Sequence, residues 1–471
     1  MIRHVKLVCT LGPASSGPPA LDGLLQAGAD VLRVNLSHGD AAEQAALVRA
    51  AREAAARAGL EPAVMADLPG PKIRLGELRE DEVLLQAGAR FVLRPGGPPG
   101  DAAGASTTYP GLGRDLRRGD RVFLSDGAVE LVVLETGEEV VTEVARAGPV
   151  RSGAGLNVPA ERLSLPAITE RDREALARAL ELGVDLVAQS FVRHAADVIG
   201  LRALMGSRPV PIVAKIETRP AVEAIGEILA HADAVMVARG DLGVELPMEE
   251  IPLLQKELLR AARAAGRPAI VATQMLESMI RAPRPTRAEA SDVANAVLDG
   301  ADAIMLSGET AIGAYPAEAA RAASRIAEVA EARAGSFRVP GPPCTHRDEA
   351  SAVAHAAAQI AADDPAVVAI ACYTESGRTA GLLSAERPRV PVYAFVPDGA
   401  VRRALQLRHG VRPLPAERPV DTDAMIGLMD RGLRERGLAR EGDAVVMAAA
   451  MPAGKASTNM LKVHQLGGPL R

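Results

Sequence analysis

The chain has no tryptophan, five phenylalanines and four tyrosines among its 471 residues. Its core must therefore be packed from Ala, Val, Leu and Ile. Cysteine is scarce as well. Cys9, Cys344 and Cys372 are odd in number, far apart and in no CxxC pattern, which argues against a disulfide framework or a zinc site and suits a reducing cytosol. The eight histidines show no spacing of the HExxH kind. A basic tail or stripe is missing and the formal net charge is −5, so nucleic acid is not an expected partner. No signal peptide precedes the first apolar run, and no run is long enough to cross a bilayer. A cytoplasmic protein without a membrane partner is expected. The scarcity that matters most is lysine: Lys6, Lys72, Lys215, Lys256, Lys455 and Lys462 are the only six. Every other side chain of that charge is arginine, so a lysine in an apolar strand marks a need for a compact point charge.

The length allows two to four domains and an ample core. Short apolar runs at 5–9, 31–34, 62–66, 186–189, 211–216, 234–238, 269–272 and 303–306 read as eight buried strands. Helical patterns lie between most of them, at 41–58, 170–182, 219–230, 249–265 and 316–334. Eight parallel strands with outer helices make a TIM (β/α)8 barrel. Thr10, Asn35, Asp67, Ser190, Lys215, Glu217, Asp241, Thr273 and Ser307 all fall at or just past strand C-terminal ends. Those ends converge on one mouth. The stretch 70–157 alternates apolar and polar residues between Gly and Pro turns and reads as an inserted β lid domain after the third strand. A linker at 335–343 leads to a second α/β unit with strands at 367–372, 392–395, 411–414, 444–448 and 461–463. The expected domains are a barrel of 1–69 and 158–338, a lid of 70–157 and a C-terminal α/β domain of 339–471.

Lys215-Ile216-Glu217 closes the fifth strand, and Ala238-Arg239-Gly240-Asp241 closes the sixth. Residues two apart on a strand share a face. Lys215 and Glu217 are thus expected to point one way, and so are Arg239 and Asp241. One cation and two carboxylates at strand ends suit a divalent metal and a phosphate held together. A buried ion pair that only holds the fold is the competing reading.

Further segments carry a resemblance. They are Cys9 to Ser15 (CTLGPAS), Arg33 to Gly39 (RVNLSHG), Asp67 to Arg74 (DLPGPKIR), Met236 to Glu245 (MVARGDLGVE), Ala272 to Ser278 (ATQMLES) and the long run Pro283 to Thr310. With Lys215-Ile216-Glu217 they stand in the order found in the pyruvate kinase family, which the chain resembles over essentially its whole length. The resemblance implies phosphate transfer from phosphoenolpyruvate to ADP, giving pyruvate and ATP. It implies that Glu217 and Asp241 bind Mg2+ or Mn2+, and that Lys215, Arg33 and Arg74 stabilise the phosphoryl group. Gly240 and Asp241 would face the substrate, and Thr273 would lie near its enol carbon. A strand-end threonine can also be a simple capping hydroxyl. Asn35, Ser37, His38, Arg74 and the lid residue Asp126 resemble nucleotide contacts, although Asp126 also fits a hairpin turn.

Many members of the family need K+ bound by residues matching Asn35, Ser37, Asp67 and the carbonyl of the next residue, here Leu68. They carry Glu where this chain has Lys72 and Thr where it has Leu68. Members with lysine at that place are K+-independent, and a tethered ammonium can supply the missing charge. K+ is therefore not an expected requirement, unless Lys72 merely faces solvent at the lid hinge. In the C-terminal unit, Thr374, Ser376, Gly377 and Thr379 lie in a strand-to-helix segment that resembles the family's effector loop for a sugar phosphate. An ordinary helix cap is the alternative. The resemblance also implies a homotetramer. Two other functions stay open at this point: a metal-dependent lyase or aldolase acting on pyruvate or its enol, and a non-catalytic sensor of phosphorylated metabolites.

Overall fold

A computed structural model describes residues 3–125, 127–337, 348–450 and 457–469 of the chain. Asp126, Cys344 and most of the expected linker lie outside the described residues. Eight strands form a closed parallel barrel: β1 Lys6–Leu11, β2 Val31–Asn35, β3 Ala63–Asp67, β4 Leu186–Gln189, β5 Ile212–Ile216, β6 Ala234–Ala238, β7 Ala269–Ala272 and β8 Ala303–Leu306. Each pairs with the next, and β8 pairs back onto β1 through Lys6 and Ala303. Nearly every strand residue is buried. A parallel strand covered on both faces needs apolar side chains on both, so it reads as a continuous run rather than an alternation.

The helices between the strands follow their caps. α1 (Ala41–Ala58) starts at Asp40, whose carboxylate accepts the N–H groups of Ala42 and Glu43, and stops at Gly59 with φ 63°. α2 (Glu170–Glu181) starts at Thr169 in the same way. The helix expected at 219–230 is broken into α3 (Arg219–Glu223) and α4 (Ile225–His231), because Ala224 leaves helical geometry at φ −91°, ψ 14°. Beyond β6 comes α5 (Arg239–Glu245), followed by α6 (Ile251–Ala264), α7 (Arg287–Leu298) and α8 (Pro316–Phe337). α8 runs three residues into the stretch expected to be linker.

The inserted segment leaves β3 and folds into a six-stranded sheet with its own core around Phe91, Leu93, Leu124, Leu131 and Val140. Its strand Val140–Arg146 alternates buried and exposed residues, as its sequence does. The last unit is a five-stranded sheet. Its final strand, Thr458–Gln465, runs antiparallel and is longer than the 461–463 expected. This unit grips the N-terminal rim of the barrel. Arg403 pairs with Asp185 at 2.7 Å, Arg402 with Glu61 at 2.7 Å and Arg387 with Asp302 at 2.8 Å. The opposite, C-terminal rim is left to the lid.

Candidate active site

Five strands feed one charged cluster at the C-terminal rim. Lys215 is the penultimate residue of β5, and its Nζ lies 2.7 Å from Glu217 Oε1 and 3.4 Å from Asp67 Oδ1. It also donates to Ser190 Oγ at 2.7 Å, just past β4. Asp67 ends β3 and accepts from Arg33 Nε of β2 at 2.7 Å. Arg33 Nη1 in turn donates to Thr10 Oγ1 of β1 at 2.9 Å. Thr10 Oγ1 donates in turn to the Leu306 carbonyl of β8 at 2.8 Å. Glu217 lies one residue beyond β5, and its second oxygen accepts the Phe191 N–H at 2.7 Å. Phe191 holds φ 53°, an uncommon conformation for a bulky residue.

Electrostatics follow from this crowding. Burial alone would push the Asp67 carboxyl up, but Lys215 and Arg33 outweigh it and hold it below the ordinary carboxylate range. Burial works against a charged Lys215 too. Asp67, Glu217 and Asp241 more than compensate and hold its ammonium above the usual lysine range. Glu217 moves the other way: burial pushes its carboxyl up, and the nearby Asp241 charge adds to that against the pull of Lys215.

Arg239 and Asp241 correct an expectation. The strand stops at Ala238 and α5 begins at Arg239. On a helix, residues two apart point in nearly opposite directions. Asp241 stays within electrostatic reach of Lys215, whereas Arg239 turns away to Asp292 of α7. Across from them stands Thr273, with φ 71°. Its Oγ1 accepts the Gly240 N–H at 2.8 Å and donates to the Ala272 carbonyl at 2.6 Å. A Cβ on Gly240 would sit 3.5 Å from that Oγ1, so the fold itself leaves room there and a side chain would project toward Thr273.

The other expected residues spread around this cluster. Asn35 Oδ1 accepts the Ser37 N–H at 3.1 Å. His38 is exposed; burial of part of its ring and the cations Arg74, Lys72, Arg33 and Arg171 hold its imidazole below the ordinary range. Arg74 starts the lid, half-buried, and donates to the Gly153 carbonyl at 3.0 Å. Lys72 is exposed at the lid entry, while Leu68 is buried and its carbonyl accepts from Ser190 Oγ at 2.8 Å. In the C-terminal unit Thr374 Oγ1 accepts the Gly377 N–H at 3.0 Å, and Thr379 is bonded to Thr458 at 2.7 Å. Both hydroxyls face inward, so of that set only Ser376 is exposed. Thr10 and Ser190 have larger roles than their strand-end positions announced. Nothing in the sequence marks the Phe191 backbone.

Glu217 and Asp241 supply hard oxygen donors, and a cation between them would relieve the desolvation and like charge that push Glu217 up. Among the described residues no group of three or more His, Cys, Asp or Glu could hold a metal by itself.

Comparison with known proteins gives one answer. Residues 2–320 match the family described as pyruvate kinase, barrel domain, and residues 351–464 the one described as pyruvate kinase, alpha/beta domain. A pyruvate kinase of Corynebacterium efficiens is 43% identical over 100% of this chain and 99% of its own. One from Mycobacterium intracellulare is 44% identical over 99% of both. A crystal structure of a pyruvate kinase from Cryptosporidium parvum superposes with a TM-score of 0.89 at 33% identity, covering 98% of this chain and 96% of that one.

Proposed function

The chain belongs to the pyruvate kinase family, and from that premise we infer that the rim cluster is where it moves a phosphoryl group from phosphoenolpyruvate to ADP, giving pyruvate and ATP. The observation that carries the assignment is Lys215 Nζ held 2.7 Å from Glu217 Oε1 at the barrel's C-terminal rim. A lyase or a sensor would need neither the lid nor Arg74, and the matches run the full length of kinases.

Charge on the migrating group must be stabilised while it is bound to neither donor nor acceptor. Lys215 and Arg33 are fixed for that task. Asp67, Ser190 and Thr10 hold them before substrate arrives, so little reorganisation accompanies the transfer. Of the Lys215 contacts, Asp67 at 3.4 Å is the loosest and the easiest for a phosphoryl oxygen to displace. Glu217 and Asp241 would hold Mg2+ or Mn2+, which supplies a fixed double positive charge for the substrate's carboxylate and phosphate when bound. Arg74 stands at the lid base, where closure would bring it over the phosphate and exclude water. The enolate left behind takes a proton at C3, and Thr273 is the hydroxyl assigned to that side of the site. Asn35, Ser37, His38 and the cations beside it suit the nucleotide phosphates, and Asp126 of the lid sequence is assigned to the same ligand.

Lys72 is exposed, yet its charge reaches His38, and the reading of activity without K+ rests on that reach. Ser376 and the helix start after Gly377 suit a phosphorylated effector, with Thr374 and Thr379 shaping the loop from inside. Separate hydrophobic cores in the inserted segment and in the C-terminal unit, apart from the main barrel core, support division into a barrel, a lid at 70–157 and a C-terminal domain at 339–471. No described helix is long and apolar enough to cross a membrane. A cytoplasmic homotetramer is the assembly we assign. The test is a coupled assay for pyruvate with and without ADP, Mg2+ and K+. Pyruvate formation that needs ADP and a divalent cation, and that falls in Lys215→Met and Glu217→Gln, supports the reading. Pyruvate formed without ADP would end it.

A further inference from the structure

Arg239 was expected beside Asp241 and instead holds the turn that carries Thr273. Its guanidinium meets Asp292 with both arms, Nη1 to Oδ1 and Nη2 to Oδ2 at 2.7 Å each. The same Nη2 donates to the Thr273 carbonyl at 2.7 Å, and Nε reaches the Ala272 carbonyl at 3.3 Å. The side chain is 13% exposed. Asp292 neutralises its charge, so Arg239 is poorly placed to attract an anionic substrate.

The turn it holds is strained. Thr273 and Gln274 have φ 71° and 55°, two consecutive left-handed residues with no glycine. A β-branched residue is a true outlier there, and such conformations persist only where the surroundings over-determine them. The Thr273 hydroxyl is held by its own bonds, accepting from one backbone group and donating to the Ala272 carbonyl. Oγ1 is bound to the N–H of Gly240, the residue next to Arg239, so one short helix fixes both the backbone and the hydroxyl of Thr273. That helix also carries Asp241. The remaining contacts of the guanidinium, Nη2 to Met275 Sδ at 2.9 Å and Nη1 to Gln255 Oε1 at 3.4 Å, hold it between this turn and α6.

We propose that Arg239, oriented by Asp292, is a positioning residue for the proton-transfer half of the reaction: it holds the Thr273 hydroxyl, whose own proton goes to the Ala272 carbonyl, so that its free lone pair orients the water that protonates C3 of the enolate. In that half, one proton reaches C3 as the C2 oxyanion becomes the carbonyl. Nothing is oxidised or reduced, and solvent restores the proton to the water that Thr273 orients. The phosphoryl half depends on Lys215 and Arg33, which Arg239 does not touch. The proposal rests on the reading of Thr273 given above.

The two halves can be measured separately. Phosphoryl transfer is read as ATP formed in a single turnover from phosphoenolpyruvate and ADP. Proton transfer is read as exchange of pyruvate methyl protons with D2O, followed by NMR in Mg2+ and inorganic phosphate. The full-length Arg239→Met, Arg239→Lys and Asp292→Asn chains are compared with wild type, with melting curves to confirm folding. All three should lose exchange at least about tenfold more than phosphoryl transfer, within the range general acid catalysis contributes. Arg239→Lys keeps the charge but lacks the fork, so it should not rescue. Equal losses in both halves, or rescue by lysine, would overturn the proposal. If Arg239→Met fails to fold, Asp292→Asn decides by the same ratio. Thr273→Val separates the two levels: loss of exchange there with none in the Arg239 chains defeats the clamp alone, and undiminished exchange in Thr273→Val defeats both.

Discussion

Replacing Glu245 by glutamine should stabilise the protein in alkaline buffer and leave it unchanged in acid. Glu245 ends α5 and lies in a cavity lined by Lys72, Ile73, Asn157, Phe191, Arg193 and Thr218, where the lid joins the barrel. Burial pushes its carboxyl up to about 7, and the Glu161 charge adds to the push. The backbone N–H groups of Arg219 and Ala160, with the Arg219 charge, pull the other way and lose. In the unfolded chain the group titrates near its ordinary value of 4.5. Between those values the native state holds a proton that the unfolded state has lost, so stability falls as pH rises. The contribution of the protonated form is complete below pH 4.5 and gone above about 7. A shift from 4.5 to about 7 corresponds to about 3 kcal/mol as an upper bound. Glutamine resembles the protonated acid at every pH and can still accept from both N–H groups. Urea unfolding of wild type and Glu245→Gln should therefore coincide at pH 4.5 and diverge by about 2–3 kcal/mol at pH 8, with the variant more stable. Equal differences at the two pH values would refute the argument, because a packing change does not titrate.

Three further outcomes follow from other contacts. Lys215→Met leaves Asp67 and Glu217, with side chains 1% and 2% exposed, without their shared cation; roughly 3–5 kcal/mol of stability and at least about a hundredfold in kcat should go, and a kcat within tenfold of wild type would dismiss its role. Gly70→Ala places a methyl 2.7 Å from Phe191 Cδ2 and 2.9 Å from Ser190 Cβ at φ 67°; since Ser190 holds Lys215 and Phe191 holds Glu217, kcat should fall along with about 1–3 kcal/mol of stability, and an unchanged kcat would show the lid entry uncoupled from the site. Lys72→Glu should turn an enzyme indifferent to K+ into one that KCl activates, which a titration in Tris chloride checks directly; wild type stalled without K+ would reverse the assignment.

The barrel was legible because its physics is local. Each strand is buried on both faces, so it announces itself as an unbroken apolar run, and the bounds at β4, β6, β7 and β8 agree to the residue. The edge strand Thr458–Gln465 is longer than its apolar centre because Thr458 and Asn459 before that centre and His464 and Gln465 after it are polar. Lys215 and Glu217, two apart at the end of β5, meet at 2.7 Å. The strand rule for residues two apart failed at Arg239 and Asp241, where the strand-to-helix switch falls between Ala238 and Arg239 with no side-chain cap to mark it. Asp67 was placed with the monovalent-ion residues, and its grip on both Lys215 and Arg33 had no local signal, since the three come from different strands.

Why the site uses one of six lysines in an arginine-rich chain follows from its shape. Lys215 Nζ faces acceptors from three directions: Glu217 Oε1 beyond its own strand, Ser190 Oγ beyond β4 and Asp67 Oδ1 on β3. An ammonium has three donors arranged as a tripod and can meet all of them from one point, while a guanidinium keeps its donors in one plane. Arg33 has the complementary task, spanning from Asp67 on β3 to Thr10 on β1, and a flat fork does that well. Two cations against Asp67, Glu217 and Asp241 leave the cluster one negative charge in excess. A divalent cation held by Glu217 and Asp241 would turn that local balance positive and favour a phosphorylated acid beside it. The charge count and the donor geometry thus lead to the same requirement, for a metal and a phosphoryl group bound together.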